Sequence, residues 1–268
     1  MDVRTSAIVS KLVYHIHNTV KEFQVTEDEL MKAIDFLTKV GKNGEYHLLS
    51  DVLNVSVLVD KITYGSNRNY KATDHNVEGP LYREEAPLCT YEATLYDKEI
   101  EEGDILVVTG KVRSASGHTP IPNALVDVWQ SNHHGDYENE DPKQPDYNLR
   151  RRIQTNENGE FQFKTVIPGP YRIGKGGHVG KLLEAMGRHD WRPAHIHFKV
   201  EGEGHEKLTT MLFIKNDPWI HSDAIGAVKE SLILKMQACN DQESMEKYGV
   251  QKPFFTAHYD FVLQEQVK

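Results

Sequence analysis

From Pro80 to the C-terminus the chain is cut into short β-branched and aromatic runs, ILVVTGKV, ALVDVW, FQFKTVI, HIHFKV, LTTMLFI and FTAHYDFVL, separated by Gly, Pro and Asn turns. Many short strands without helices alternating between them specify a β-sandwich or barrel. The first sixty-odd residues read differently. Thr26 is followed three positions later by Glu29, then Leu30, Ala33, Ile34, Leu37 and Val40 recur at helical spacing before Gly41. This is a capping box, an amphipathic helix and a glycine stop. Similar spacing in Ile8, Leu12, Ile16, Val20 and Phe23, and in Leu48, Leu49, Val52, Val59 and Ile62, predicts a unit of about three helices. The chain therefore reads as mainly β: a helical unit over 1–65, a linker over 66–79 that is rich in Asn, Asp and Tyr, and a β-sandwich over 80–268. One further helix is expected within the sandwich, from Ala224 to Met236.

The 268 residues are 38% apolar, enough for a large core. Acidic residues outnumber basic ones 40 to 31, and the only basic block is Arg150–Arg151–Arg152, so no surface for nucleic-acid phosphates is expected. Two cysteines, Cys89 and Cys239, cannot build a disulfide framework or a cysteine-type zinc site, which fits the cytoplasm. Lys11, His15 and His17 break the N-terminal apolar stretches below signal-peptide length, and no membrane insertion is expected.

Fourteen histidines and twelve tyrosines offer metal ligands and proton carriers. His195 and His197 alternate within an apolar run, so on a strand both imidazoles point to one face, about 6–7 Å apart along the chain. Spacing alone is thin, because this histidine content yields roughly 0.7 His-x-His triplets by chance. Indeed a second one, His15-Ile16-His17, falls in a predicted helix, where residues two apart diverge around the axis and cannot share an ion. On the residues alone, Tyr137 reads as a surface turn residue, Tyr171 as a packed loop aromatic and Arg192 as the partner of a nearby carboxylate such as Asp190. His133–His134 and Arg150 to Arg152 read as solvated or ion-paired beside Asp146 and Glu157.

The stretches GRHDWRPAHIHF, PIPNALVDVWQSNHHGDY, NLRRRI and PGPY, taken with LLSDVL, VEGPLY and LTTMLFI, resemble the intradiol ring-cleavage dioxygenases, in particular the catechol and hydroxyquinol 1,2-dioxygenase branch. The resemblance spans nearly the whole chain. It implies one ferric ion per chain, held by Tyr137, Tyr171, His195 and His197. Two phenolates are hard anionic donors that suit Fe(III), and a phenol ionises near neutral pH only against a strong Lewis acid. It further implies that a catechol chelates the iron, that Tyr171 leaves and acts as internal base, that Arg192 stabilises charge on the ring, and that O2 opens the ring to a cis,cis-muconate. The N-terminal helices would form a homodimer contact able to hold a phospholipid.

Two departures stand out: Met211 occupies the place of a family glutamine near the iron, and Pro170 and Arg172 flank Tyr171 where glycines are usual. By position the substrate wall comprises Leu48, Asp51, Val52, Val77, Pro80, Leu81, Arg192, Ala224 and Ile225. VEGPLY and GRH match the catechol branch, whereas SDAIGAV and a polar Asp51 match the hydroxyquinol branch, which forms maleylacetate. The longer matches rank catechol first, with benzene-1,2,4-triol and substituted catechols accepted. A zinc hydrolase using His195 and His197 with a third ligand, or a metal-free β-sandwich binding module, are the competing classes.

Overall fold

The structure, a computed structural model, describes residues 2–65, 71–96 and 102–266, so the first part of the expected linker, 66–70, lies outside the described residues. The chain forms two compact units, 1–46 and 47–268.

In the smaller unit, α1 (Val3–Phe23) is capped by Asp2, whose carboxylate accepts the Arg4 N–H, and ends at Gln24 in the left-handed region. In α2 (Glu27–Lys42) the expected capping box forms: the Thr26 hydroxyl accepts the Glu29 N–H, and Glu29 accepts the Thr26 N–H. Gly41 lies inside the last turn rather than beyond it. A Cβ there would come within 2.8 Å of the Tyr46 hydroxyl, so this glycine admits an aromatic ring instead of stopping the helix. No residue of α1 is buried, and Ile8, Leu12, Ile16 and Val20 stay 40–59% exposed.

The third helical stretch forms two helices, α3 (Tyr46–Val52) and α4 (Val55–Gly65), because Asn54 adopts a left-handed φ of 59° between them. The strands then follow: β1 (Leu88–Thr90), β2 (Glu92–Thr94), β3 (Ile105–Ser114), β4 (Leu125–Gln130), β5 (Arg150–Gln154), β6 (Glu160–Val166) and β7 (Tyr171–Arg172). After α5 (His178–Ala185) come β8 (Trp191–Arg192), β9 (His195–Glu201), β10 (Leu208–Ile214), β11 (Ile233–Leu234) and β12 (Met236–Cys239). The chain closes with α6 (Gln242–Tyr248), β13 (Phe254–His258) and β14 (Phe261–Leu263). One sheet runs β1-β5-β4-β9-β10-β11 and the other β12-β13-β3-β6-β2, with β14 paired to β3. The β-sandwich expected from the sequence is thus present.

The expected helix from Ala224 to Met236 is absent; that segment holds a single 3-10 turn, Glu230–Leu232, followed by β11 and β12. Two local causes prevent the helix. The Asp223 carboxylate accepts the N–H groups of Ile225 and Ala227, and Gly226 takes a left-handed φ of 64°.

The period-2 alternation of β9 decides what faces the core. Phe198 points inward and meets Phe163 of β6 and Phe261 of β14, with ring centroids 6.1 and 4.8 Å away. Ile196 and Val200 share that face and are fully buried. Phe198→Ala would cost about 3–5 kcal/mol. His195 and His197 therefore fall on the opposite face, which the long loops following β4 and β6 cover. Among the described residues no helix is long and apolar enough to cross a membrane.

Candidate metal centre and substrate cavity

Strand pairing fixes the two histidines. In the sheet register Trp129 of β4 and Met211 of β10 flank His197, and Phe213 stands opposite His195. Trp129 stacks on the His197 ring at 4.8 Å and 6°, holding it by packing rather than by a hydrogen bond, since the His197 Nδ1 is buried without a partner. His195 Nδ1 lies 2.7 Å from the Pro193 carbonyl; as the donor there it leaves Nε2 with a bare lone pair. The two Nε2 atoms are 3.1 Å apart. Burial, reinforced by Arg192, depresses the His195 pKa to about 3; burial, His195 and Arg192 hold His197 well below its ordinary value. Both rings are thus neutral ligands at any physiological pH.

The tyrosines arrive from two loops. Tyr137, on the connection after β4, is 1% exposed rather than a surface turn residue, and its hydroxyl has no hydrogen-bond partner of normal geometry. An orphaned buried hydroxyl costs about 1–3 kcal/mol, and a metal would remove that cost. Tyr171 stands in β7 directly opposite Arg192 of β8. It is half-buried, with its hydroxyl 3.5 Å from both His195 Nε2 and Arg192 Nη1, and its ring meets the Tyr137 ring edge-on at 5.6 Å. Burial raises both phenols above their ordinary pKa while Arg192 works the other way, so neither ionises without a Lewis acid. Gly135 lets the two loops touch: at φ 92°, a Cβ there would sit 2.4 Å from the Pro170 carbonyl and 2.9 Å from Tyr171 Cβ. Two neutral imidazoles and two phenols converging on one point fit a hard, strongly Lewis-acidic cation of the Fe(III) type. The zinc-hydrolase and metal-free readings give no reason for the buried Tyr137.

Arg192 is 3% exposed and pairs with Asp223, not with Asp190, which instead takes Arg172. Burial opposes the Arg192 charge, but Asp223 and the two phenols outweigh it and keep the guanidinium charged. Burial likewise opposes the Asp223 charge, and Arg192 holds the carboxyl below its usual range. Met211, standing where a glutamine was expected, accepts a contact from Arg192 Nη2 through Sδ at 3.3 Å. Asp223 was not singled out from the sequence; it lies 31 residues from its partner, and only the SDAIGAV stretch drew attention to the region. Arg150 likewise proves buried at 1% exposure, paired with Glu138 at 2.7 Å and 5.9 Å from the Tyr137 ring; Asp146 pairs with Arg83 instead.

A cavity of about 620 Å³ opens between α3, α4 and the 76–82 segment. Of the expected wall, Asp51, Val77 and Pro80 line it, together with His47, Ser56, Asp60, Tyr64, Asn76, Glu78, Gly79, Tyr82 and Thr209, which the sequence did not nominate. Gly79 connects the cavity to the donors: at φ 73°, a Cβ would lie 3.5 Å from His197 Cε1. Leu48 sits against Gly174, while Arg188 donates to the carbonyls of both Val52 and Ala224, and Asn54 donates to that of Ile225. These bonds tie the α3 side of the wall to the 223–227 turn. Leu81 is half-buried and is not among the residues lining the cavity. Asp51 is 8% exposed, and burial raises its carboxyl pKa, partly offset by a Ser56 hydrogen bond and by Arg192.

A family model described as Dioxygenase matches residues 77–265, and one described as Catechol dioxygenase N terminus matches residues 2–71. The chain is 39% identical to a hydroxyquinol 1,2-dioxygenase of Rhizobium sp. (strain MTP-10005), over 98% of this chain and 90% of that protein. Among solved structures, a mercury-inhibited catechol 1,2-dioxygenase from Acinetobacter sp. ADP1 superposes with a TM-score of 0.93 at 31% identity, covering 100% of this chain and 88% of that one. A hydroxyquinol 1,2-dioxygenase from Pseudomonas putida DLL-E4 gives 0.88 at 36% identity, covering 99% of this chain and 93% of that one. Together with the sandwich and the clustered donors, these likenesses show that the chain belongs to the intradiol ring-cleavage dioxygenases.

Proposed function

We propose that this protein holds one Fe(III) through Tyr137, Tyr171, His195 and His197 and uses O2 to open an aromatic 1,2-diol between its hydroxylated carbons. The convergence of two neutral imidazoles with a buried, orphaned phenol and a half-buried one carries the reading. When bound, the ferric ion supplies Lewis acidity that lowers the barrier to losing the diol's phenolic protons. Of the residues that would hold it, Tyr171, the more exposed phenol, would accept a proton from the diol, while the buried Tyr137 would stay in place. Arg192, kept charged by Asp223, faces the same point and stabilises negative charge on the ring.

For the substrate, we infer benzene-1,2,4-triol ahead of catechol, the reverse of the order ranked from sequence. Asp51 is a buried carboxyl close enough to feel Arg192 and Asp223; burial raises its pKa, and beyond its Ser56 hydrogen bond the carboxyl keeps further acceptor capacity. A third ring hydroxyl would satisfy it, whereas catechol leaves it as it is. The similarity to hydroxyquinol 1,2-dioxygenases points the same way. The test is kcat/KM, followed by O2 uptake, for catechol and the triol. A triol preference of about tenfold or more, equal to ~1.4 kcal/mol in transition-state binding, is expected; a catechol preference of that size overturns the substrate assignment.

The uncovered apolar face of α1 is assigned to a second copy of the chain, giving a homodimer in the cytoplasm. Light scattering at micromolar concentration should return twice the mass of one chain, and a monomer contradicts it.

A further inference from the structure

A second group of ligand atoms lies outside the donor cluster. Glu102, His133 and His134 each offer one ligand atom within 4.8 Å of the other two. His133 Nε2 is 4.0 Å from Glu102 Oε2, and the two imidazole rings pack with centroids 3.7 Å apart. They line a cavity of about 530 Å³ whose other walls include Asp136, Glu140 and Asp141, with Lys143 as the one cationic side chain among its lining residues.

The backbone holds this arrangement in place. Asn132 Oδ1 accepts the N–H groups of His134 and Asp136, and the Asn132 N–H donates to the Asp136 carbonyl. Gly103, at φ 110°, brings the Glu102 backbone against His133: a Cβ there would meet His133 Cβ at 2.9 Å. A tetrahedral zinc ion with bonds near 2.0–2.1 Å spaces its donors roughly 3.4 Å apart, so side-chain rotations of about an ångström close the site. Two imidazoles with one carboxylate select borderline ions such as Zn²⁺ over Mg²⁺ or Ca²⁺, and the negative cavity adds attraction.

We propose that Glu102, His133 and His134 form a second metal site, for one Zn²⁺-like divalent ion, where the loop that also carries Tyr137 meets Glu102 ahead of β3. A vacant fourth position remains for water, as in three-ligand zinc sites. Because the same loop packs on Tyr171 through Gly135, cation binding should stiffen both tyrosine-bearing segments.

The experiment is calorimetric titration of the iron-loaded, full-length protein with ZnCl2, with visible spectra recorded alongside. One Zn²⁺ per chain should bind without displacing iron. His133→Ala/His134→Ala should weaken that binding by about tenfold or more, and Glu102→Gln by less, at a side chain 82% exposed and therefore harmless to folding. His15→Gln/His17→Gln, removing the exposed pair on α1, should bind zinc like wild type. Equal zinc affinity in wild type, the double alanine variant and Glu102→Gln overturns the site, as does loss of binding only in the His15/His17 variant or no binding to wild type.

Discussion

The four proposed metal donors and the wall of the proposed substrate cavity lie in the same unit but are held by different means. His195 and His197 hang from a central strand, flanked by Trp129 and Met211 in the register, and Tyr171 stands opposite Arg192 in its own two-strand ladder. The cavity wall is built from α3, α4 and the 76–82 segment, and side chains that reach backbone carbonyls, such as Arg188 and Asn54, tie its α3 side to the 223–227 turn behind it. A sheet fixes side chains to a fraction of an ångström because every neighbour is fixed too; a wall of helix ends and turns can vary residue by residue without disturbing the donors. On the proposed reading, reaction type rests on the strand-borne histidines with the tyrosines packed against them, and substrate choice on the wall.

Breaking the donor cluster should have the largest effect. His197→Ala removes a ligand and the ring stacked on Trp129. Iron content should collapse and activity fall beyond the 10–100-fold typical of losing a ligand's supporting partner. Metal analysis and O2 uptake check this, and a variant that keeps its iron would show the cluster is not the site.

An intermediate effect is expected where the two regions meet. Asp223 lies in the turn tied to the wall through Arg188 and Asn54, and it grips Arg192 in the cluster. Asp223→Asn keeps the shape while weakening the hold on the guanidinium, so kcat should fall about 10–100-fold with iron still bound. Loss of iron along with activity would place Asp223 among the structural supports of the cluster instead.

Changes in the wall should be smallest and selective. Asp51→Ala should lower kcat/KM for the triol about tenfold while leaving catechol nearly unchanged, compressing the ratio between them. Equal losses on both substrates would mean that Asp51 supports the fold rather than the choice.

The same contrast governs what could be read from the residues. Period-2 alternation displays the strands, and it alone places His195 and His197 on one face. Tyr137 could not be recognised from its neighbours: a tyrosine in a polar, glycine-containing loop reads as exposed, and only the resemblance to a known family nominated it. Asp223 was illegible because its partner is 31 residues away and no local pattern links them. The Ala224–Met236 segment misled for a related reason. Its apolar spacing suits a helix, but the Asp223 carboxylate captured the N–H groups a helix would need, and pairing with β10 and β13 drew the remainder into strands. Hydrophobic periodicity reports burial, whereas polar capture and strand pairing depend on the rest of the chain.

The most direct test of the central claim is the visible spectrum of the purified protein with its iron content. The account predicts about one iron per chain and a red-brown tyrosinate-to-iron band that bleaches or shifts in Tyr171→Phe and is unchanged in Tyr147→Phe, whose hydroxyl donates only to the Glu84 carbonyl. A well-folded protein that stays colourless and inactive after iron reconstitution, or a Tyr171→Phe spectrum identical to wild type, would contradict it.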